Sequence, residues 1–130
     1  MRASCILTLL FLVVHTAGAQ QAASDTTSKP NGKSTYLVVY KPGPKWISGK
    51  PLAEQPLGEH GRYMASLYSK GDLKIAGPFT DGSGGALVVN ASDEAAAKSI
   101  VMKDPAVVSG VFVYELHPWG LVDWESLIKK

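Results

Sequence analysis

Among the 130 residues, His60 and Asp81 are the pair whose chemistry stands out. His60 lies early in a stretch with helical spacing, and Asp81 lies just past Leu73-Lys74-Ile75-Ala76-Gly77, which reads as a short strand closed by Pro78. An imidazole titrates near pH 6.5 in water, so it both accepts and releases protons close to neutrality. A carboxylate that accepts its second N–H fixes the tautomer and stabilises the imidazolium form. Such positioned acid–base catalysis accelerates reactions by about 10²–10⁴-fold, enough for eliminations, isomerisations or tautomerisations of activated small molecules. The expectation is that folding brings His60 and Asp81 together beside a cleft. In the other reading His60 packs against a sheet and bonds a carbonyl, while Asp81 only starts a turn. Trp46, Tyr63 and Pro78 are the residues expected to line a substrate pocket at such a cleft.

Other residues suggest less. Asp104-Pro105 reads as a helix stop in which the carboxylate caps the following turn. Ser83 sits in Asp81-Gly82-Ser83-Gly84-Gly85, which lacks the strand-to-helix elbow of a serine nucleophile. The same run has no Lys-Ser/Thr pair and precedes a strand, so it is no phosphate loop. His117 stands beside Pro118 at a strand end, and no HxH or HxxxH spacing argues for a metal. No metal and no cofactor is expected.

The elements that must position the pair follow from periodicity. Thr35 to Tyr40 is β-branched and aromatic and stops at Lys41-Pro42-Gly43-Pro44, as a strand does. Lys45 to Gln55 has no period and reads as a loop. From Pro56, Leu57, Met64, Leu67 and Tyr68 recur at helical spacing, with Pro56 in the first turn and Gly71 past the end. Leu73–Gly77 and Ala86–Asn90 form a hairpin across the glycine-rich turn. Ser92 is the expected N-cap of a second helix running to Lys103, with Asp93 and Glu94 in its first turn. Val111 to Leu116 is the last strand, and a Trp-containing tail follows over 119–130. The order βαββαβ is ferredoxin-like: α+β, with a four-stranded antiparallel sheet and two helices on one face. Apolar residues run consecutively through Leu37-Val38-Val39 and Leu87-Val88-Val89. A sheet face that helices leave uncovered but that is still apolar calls for a partner, and a homodimer through that face is the simplest one.

The N-terminus carries a different message. Arg2, the apolar run Cys5–Val14 and the small residues Ala17-Gly18-Ala19 make a secretory signal pattern, with cleavage expected after Ala19. The run is shorter than the roughly 20 residues a membrane span needs. Residues 20–33, rich in Ala, Ser, Thr and Gln, read as a disordered linker before a domain at 34–118. Cleavage removes Cys5, the only cysteine, and with it any disulfide or thiol nucleophile. It also removes Arg2, leaving 12 basic against 11 acidic side chains. That balance gives no pull toward nucleic acid or an anionic membrane. The mature protein is expected to be exported, periplasmic or extracellular.

These residues, in this order, resemble the YCII-related family over about residues 35–118. The likeness rests on the strand Tyr36–Tyr40, on His60, on Gly71 and on Gly77-Pro78 with Asp81 beyond. It continues through Ser92–Ala97, Asp104-Pro105 with Gly110, and Pro118. The resemblance implies a dimeric α+β barrel with a His and an Asp as an active-site pair in a cleft, the matching positions being His60 and Asp81. It equally accommodates a non-catalytic small-molecule binding or sensing dimer, or an accessory dimer with no ligand. The signal segment, the long 41–55 loop and the extended tail are departures from the usual form of the family.

Overall fold

The computed structural model describes residues 32–129. The predicted signal segment and nearly all of the predicted linker lie outside these residues. Strand β1 (Ser34–Pro42) is followed by a loop carrying a short 3-10 turn at Leu52–Glu54, then helix α1 (Gly58–Ser69). Strands β2 (Leu73–Pro78) and β3 (Gly85–Ala91) come next, then helices α2 (Glu94–Met102) and α3 (Pro105–Val108). Strand β4 (Phe112–Pro118) and a one-turn helix α4 (Trp124–Ile128) end the chain.

All strand pairs are antiparallel, in the order β2-β3-β1-β4. This is the ferredoxin-like sheet expected from the pattern of elements. Alternation decides which face is which. Tyr36, Val38 and Tyr40 of β1 point to the helices and are buried, while Leu37 and Val39 point away and are half-buried. Leu87 and Val89 of β3, with Phe112 of β4, extend the same inner layer, onto which Leu67 of α1 and Ala97 and Val101 of α2 pack. On the opposite face Ile75 is 67% and Val113 45% exposed.

Local chemistry sets the element ends. Gly71 has φ of 77°, and Asp72 N–H and Gly71 N–H donate to the carbonyls of Leu67 and Tyr68, closing α1 in a Schellman motif. Two helix starts differ from expectation. Leu57 is the N-cap of α1, so Pro56 stands before the first turn rather than in it. Asp93, not Ser92, caps α2, its carboxylate accepting from Ala96 N–H at 2.9 Å. The two neighbours compete for one capping position, and the ionised side chain fits the helix dipole better. Across the open end of β1, Trp119 N–H donates to Thr35 O and ties down the root of the tail.

Candidate functional site

The α2–α3 junction supplies the carboxylate at the centre of the site. Asp104 is the N-cap of α3, with Pro105 at the first helical position, and its Oδ1 accepts from Ala106 N–H at 2.9 Å. Capping uses only part of its capacity. Its Oδ2 accepts from the Tyr40 hydroxyl at 2.7 Å, and His60 Nδ1 lies 2.8 Å from Oδ2 and 3.0 Å from Oδ1. The side chain is fully buried. Burial alone pushes a carboxyl up, but the hydrogen bonds from His60, Tyr40 and Ala106 outweigh it, so Asp104 titrates below its ordinary value. Burial first, then the Asp104 charge, push the Tyr40 phenol far above its ordinary value, so it stays protonated as a donor.

His60 is the third residue of α1, which places its ring over the end of β1. Its side chain is 19% exposed, and the rings of Tyr40 and Phe112 meet it edge-on at 5.7 and 5.5 Å. Tyr40 and Phe112 in turn stack at 5.1 Å. An ionised Asp104 has no proton to give, so Nδ1 must carry the hydrogen of this bond. The neutral ring then holds its lone pair on Nε2, which has no hydrogen-bond partner among the described residues.

Beside the ring opens a cavity of about 580 Å³, within the range of small-molecule sites. Tyr40 and Phe112 line it from the sheet, Leu57 and His60 from the start of α1 and Met64 from its middle. Leu52, Ala53 and Gln55 form a wall from the long loop, and Ala76–Pro78 and Gly84–Leu87 form one from the β2–β3 hairpin. The hairpin wall is mostly main chain. Gly84 has φ of 141°, and a Cβ there would run into the carbonyl of Tyr40; one at Gly85 would lie 2.8 Å from the carbonyl of Gly77. The loop wall is held by a buried amide. Gln55 Oε1 accepts from Ile47 N–H at 2.9 Å, and its Nε2 donates to the carbonyls of Ile47 and Lys50 at 2.9 and 3.0 Å.

The expected pairing of His60 with Asp81 is corrected by this geometry. Asp81 is exposed in the hairpin turn, where its Oδ1 accepts from Ser83 N–H at 2.9 Å, and the hydrogen bonds of Ser83 hold its carboxyl below the ordinary value. The imidazole takes Asp104 instead, the residue read as a cap alone. Asp104 does cap, but α3 packs against α1 and thereby turns the cap toward His60. Of the expected pocket residues, Pro78 lines the cavity. Trp46 lies behind it, tilted against Phe112 at 5.7 Å. Tyr63 faces the helices, its hydroxyl donating to Ile100 O at 2.8 Å. Tyr40 and Gln55 went unrecognised in the sequence. For Tyr40 there was a signal, because alternation from the buried positions 36 and 38 aims it at the helices. Among the described residues no three His, Cys, Asp or Glu side chains converge on a metal position.

A ferredoxin-like α+β domain with a buried carboxylate holding an imidazole at a cavity is thus the class of protein that fold and site define. The YCII-related domain model matches residues 35–120, and the chain belongs to that family. It is similar to the uncharacterised protein YjpA of Bacillus subtilis (strain 168), at 32% identity over 87 residues, covering 67% of this chain and 95% of that protein.

Proposed function

We propose that this YCII-related protein is an exported acid–base catalyst of lyase or isomerase type, acting on a small organic molecule in the cavity beside His60. The observation that carries the reading is the bond from His60 Nδ1 to the buried Asp104 at 2.8 Å, which leaves Nε2 as the acid–base atom at the cavity. In the neutral state Nε2 takes a proton from the substrate, the imidazolium is stabilised by the carboxylate behind it, and the proton returns to a second substrate atom or the leaving group. His60 is the catalytic residue; Asp104 and Tyr40 are positioning residues. Asp81, the partner first expected, has no part in this scheme.

The working unit is a homodimer formed through the open sheet face, where exposed Ile75 and Val113 adjoin half-buried Leu37, Val39 and Val88. Sedimentation velocity should give a dimer at micromolar concentration; a clean monomer would refute that part. Export rests on the N-terminal pattern and predicts a secreted product beginning at Gln20 in mass spectrometry. Among the described residues no helix is long and apolar enough to cross a membrane.

The catalytic reading is tested by ¹⁵N NMR of His60 together with turnover across a panel of small activated substrates. Nδ1–H should predominate in the wild type, and Asp104→Asn should lose that tautomer with about 10²–10⁴ of the rate. Turnover unaffected by Asp104→Asn would sink the scheme. Ligand binding with no turnover would favour the alternative, a non-catalytic binding or sensing dimer that uses the same cavity.

A further inference from the structure

Resting on the reading of His60 as the acid–base group, the lining of the cavity also restricts what it can hold. Among the described residues three side chains bring nitrogen or oxygen atoms to it, from Tyr40, Gln55 and His60. The Tyr40 hydroxyl gives its hydrogen to Asp104, and both ends of the Gln55 amide are bonded to the loop backbone. Among the described residues no lysine or arginine lines the space, and its large apolar side chains are Leu52, Leu57, Met64, Leu87 and Phe112. Among the described residues, His60 Nε2 is the one nitrogen or oxygen of the lining side chains with no hydrogen-bond partner.

The charge balance points the same way. With a neutral imidazole, Asp104 gives the site a net charge of −1; with an imidazolium the sum is zero. In neither state is the cavity net positive. An anion entering it would lose its hydration with no cationic side chain among the described residues to replace it, which apolar contacts do not offset. An uncharged molecule meets no such penalty. If it hands its proton to Nε2, the total stays at −1, and the imidazolium lies between the Asp104 carboxylate and the new anion.

We infer that the cavity takes an uncharged, predominantly apolar molecule that presents one weakly acidic or hydrogen-bond-donating group to His60 Nε2, and that it rejects phosphorylated and polycarboxylate compounds.

Three probes built on one carbon framework test this by equilibrium fluorescence titration of the full mature chain near pH 7.5: naphthalene, 2-naphthol and 2-naphthyl phosphate. 2-Naphthol should bind about 5–10-fold more tightly than naphthalene, the worth of one hydrogen bond. The phosphate ester should bind at least about tenfold more weakly than 2-naphthol. In His60→Ala the advantage of 2-naphthol over naphthalene should vanish while naphthalene still binds. In Asp104→Asn the discrimination against the phosphate ester should narrow, because the negative charge of the site is gone. A phosphate ester that binds as well as 2-naphthol overturns the inference. So does failure of both uncharged probes to bind at their solubility limits, and the wild-type ranking decides the matter even if a variant does not fold. Probes that rank as expected on a protein that turns nothing over would sink the catalytic reading alone and leave the ligand class standing.

Discussion

Asp81 and Asp104 begin from the same local bond. Each accepts, through Oδ1 and at 2.9 Å, from the N–H two residues ahead: Ser83 in the hairpin turn, Ala106 at the start of α3. Everything that separates them is tertiary. Asp81 lies on a loop that nothing covers, whereas Asp104 is enclosed by β1, α1 and α3 and receives two further donors from 44 and 64 residues away. One carboxylate therefore closes a turn, and the other organises a site. A backbone habit available to any Asp becomes chemistry only where packing removes the water and supplies the partners.

The largest expected contrast comes from deleting each carboxylate. Asp104→Ala strands the Tyr40 hydroxyl, the His60 N–H and the Ala106 N–H in a buried place, and should destabilise the domain by about 3–5 kcal/mol in urea denaturation. Asp81→Ala should stay within about 0.5 kcal/mol of wild type in the same titration, as exposed substitutions usually do. Comparable losses for the two would erase the distinction drawn here.

Removing a single donor tests how the load is shared. Tyr40→Phe keeps the ring that stacks on Phe112 but takes away one hydrogen bond to a charged acceptor, an expected loss of about 1.5–3 kcal/mol. The Nδ1–H tautomer of His60 should survive it, because the bond to Asp104 remains. Loss of that tautomer in ¹⁵N spectra would mean that Tyr40 fixes the ring directly.

A smaller effect should appear on acidification. The folded-state pKa of Asp104 is depressed, so its charge stabilises the fold fully above the ordinary carboxylate range, near 3.9, and that share is lost as pH falls through the depressed value. The stability gap between wild type and Asp104→Asn should therefore close as pH falls below about 4. For Asp81→Asn, the gap should be slight throughout. A gap at Asp104 that widens in acid would contradict the sign.

Much of the scaffold was legible before any coordinates. Short apolar, β-branched runs at Thr35–Tyr40 and Ala86–Asn90 marked the strands, Gly71 marked the end of α1, and the glycine-rich turn marked the hairpin; these are local rules with local causes. His60 was legible too, as an ionisable residue on an apolar helix face. Its partner was not, because Asp-Pro after a helix is fully explained by capping, and nothing nearby in sequence shows that α1 will cover it. Gln55 was hidden for the same reason, since a glutamine in an irregular loop looks like a solvated one until the backbone folds around it. The off-by-one N-cap at Ser92-Asp93 has another origin: two competent capping residues stand side by side, and propensity does not choose between them.

The approach of Gly84 to the carbonyl of Tyr40 makes the two sides of the cavity unequal in what evolution can do with them. Enlarging residue 84 would press on the very strand whose next contact is Asp104, so specificity on that flank is not open to gradual adjustment. Changes that admit a different compound meet less backbone resistance in the loop between β1 and α1, at Leu52 and Ala53, than at residue 84.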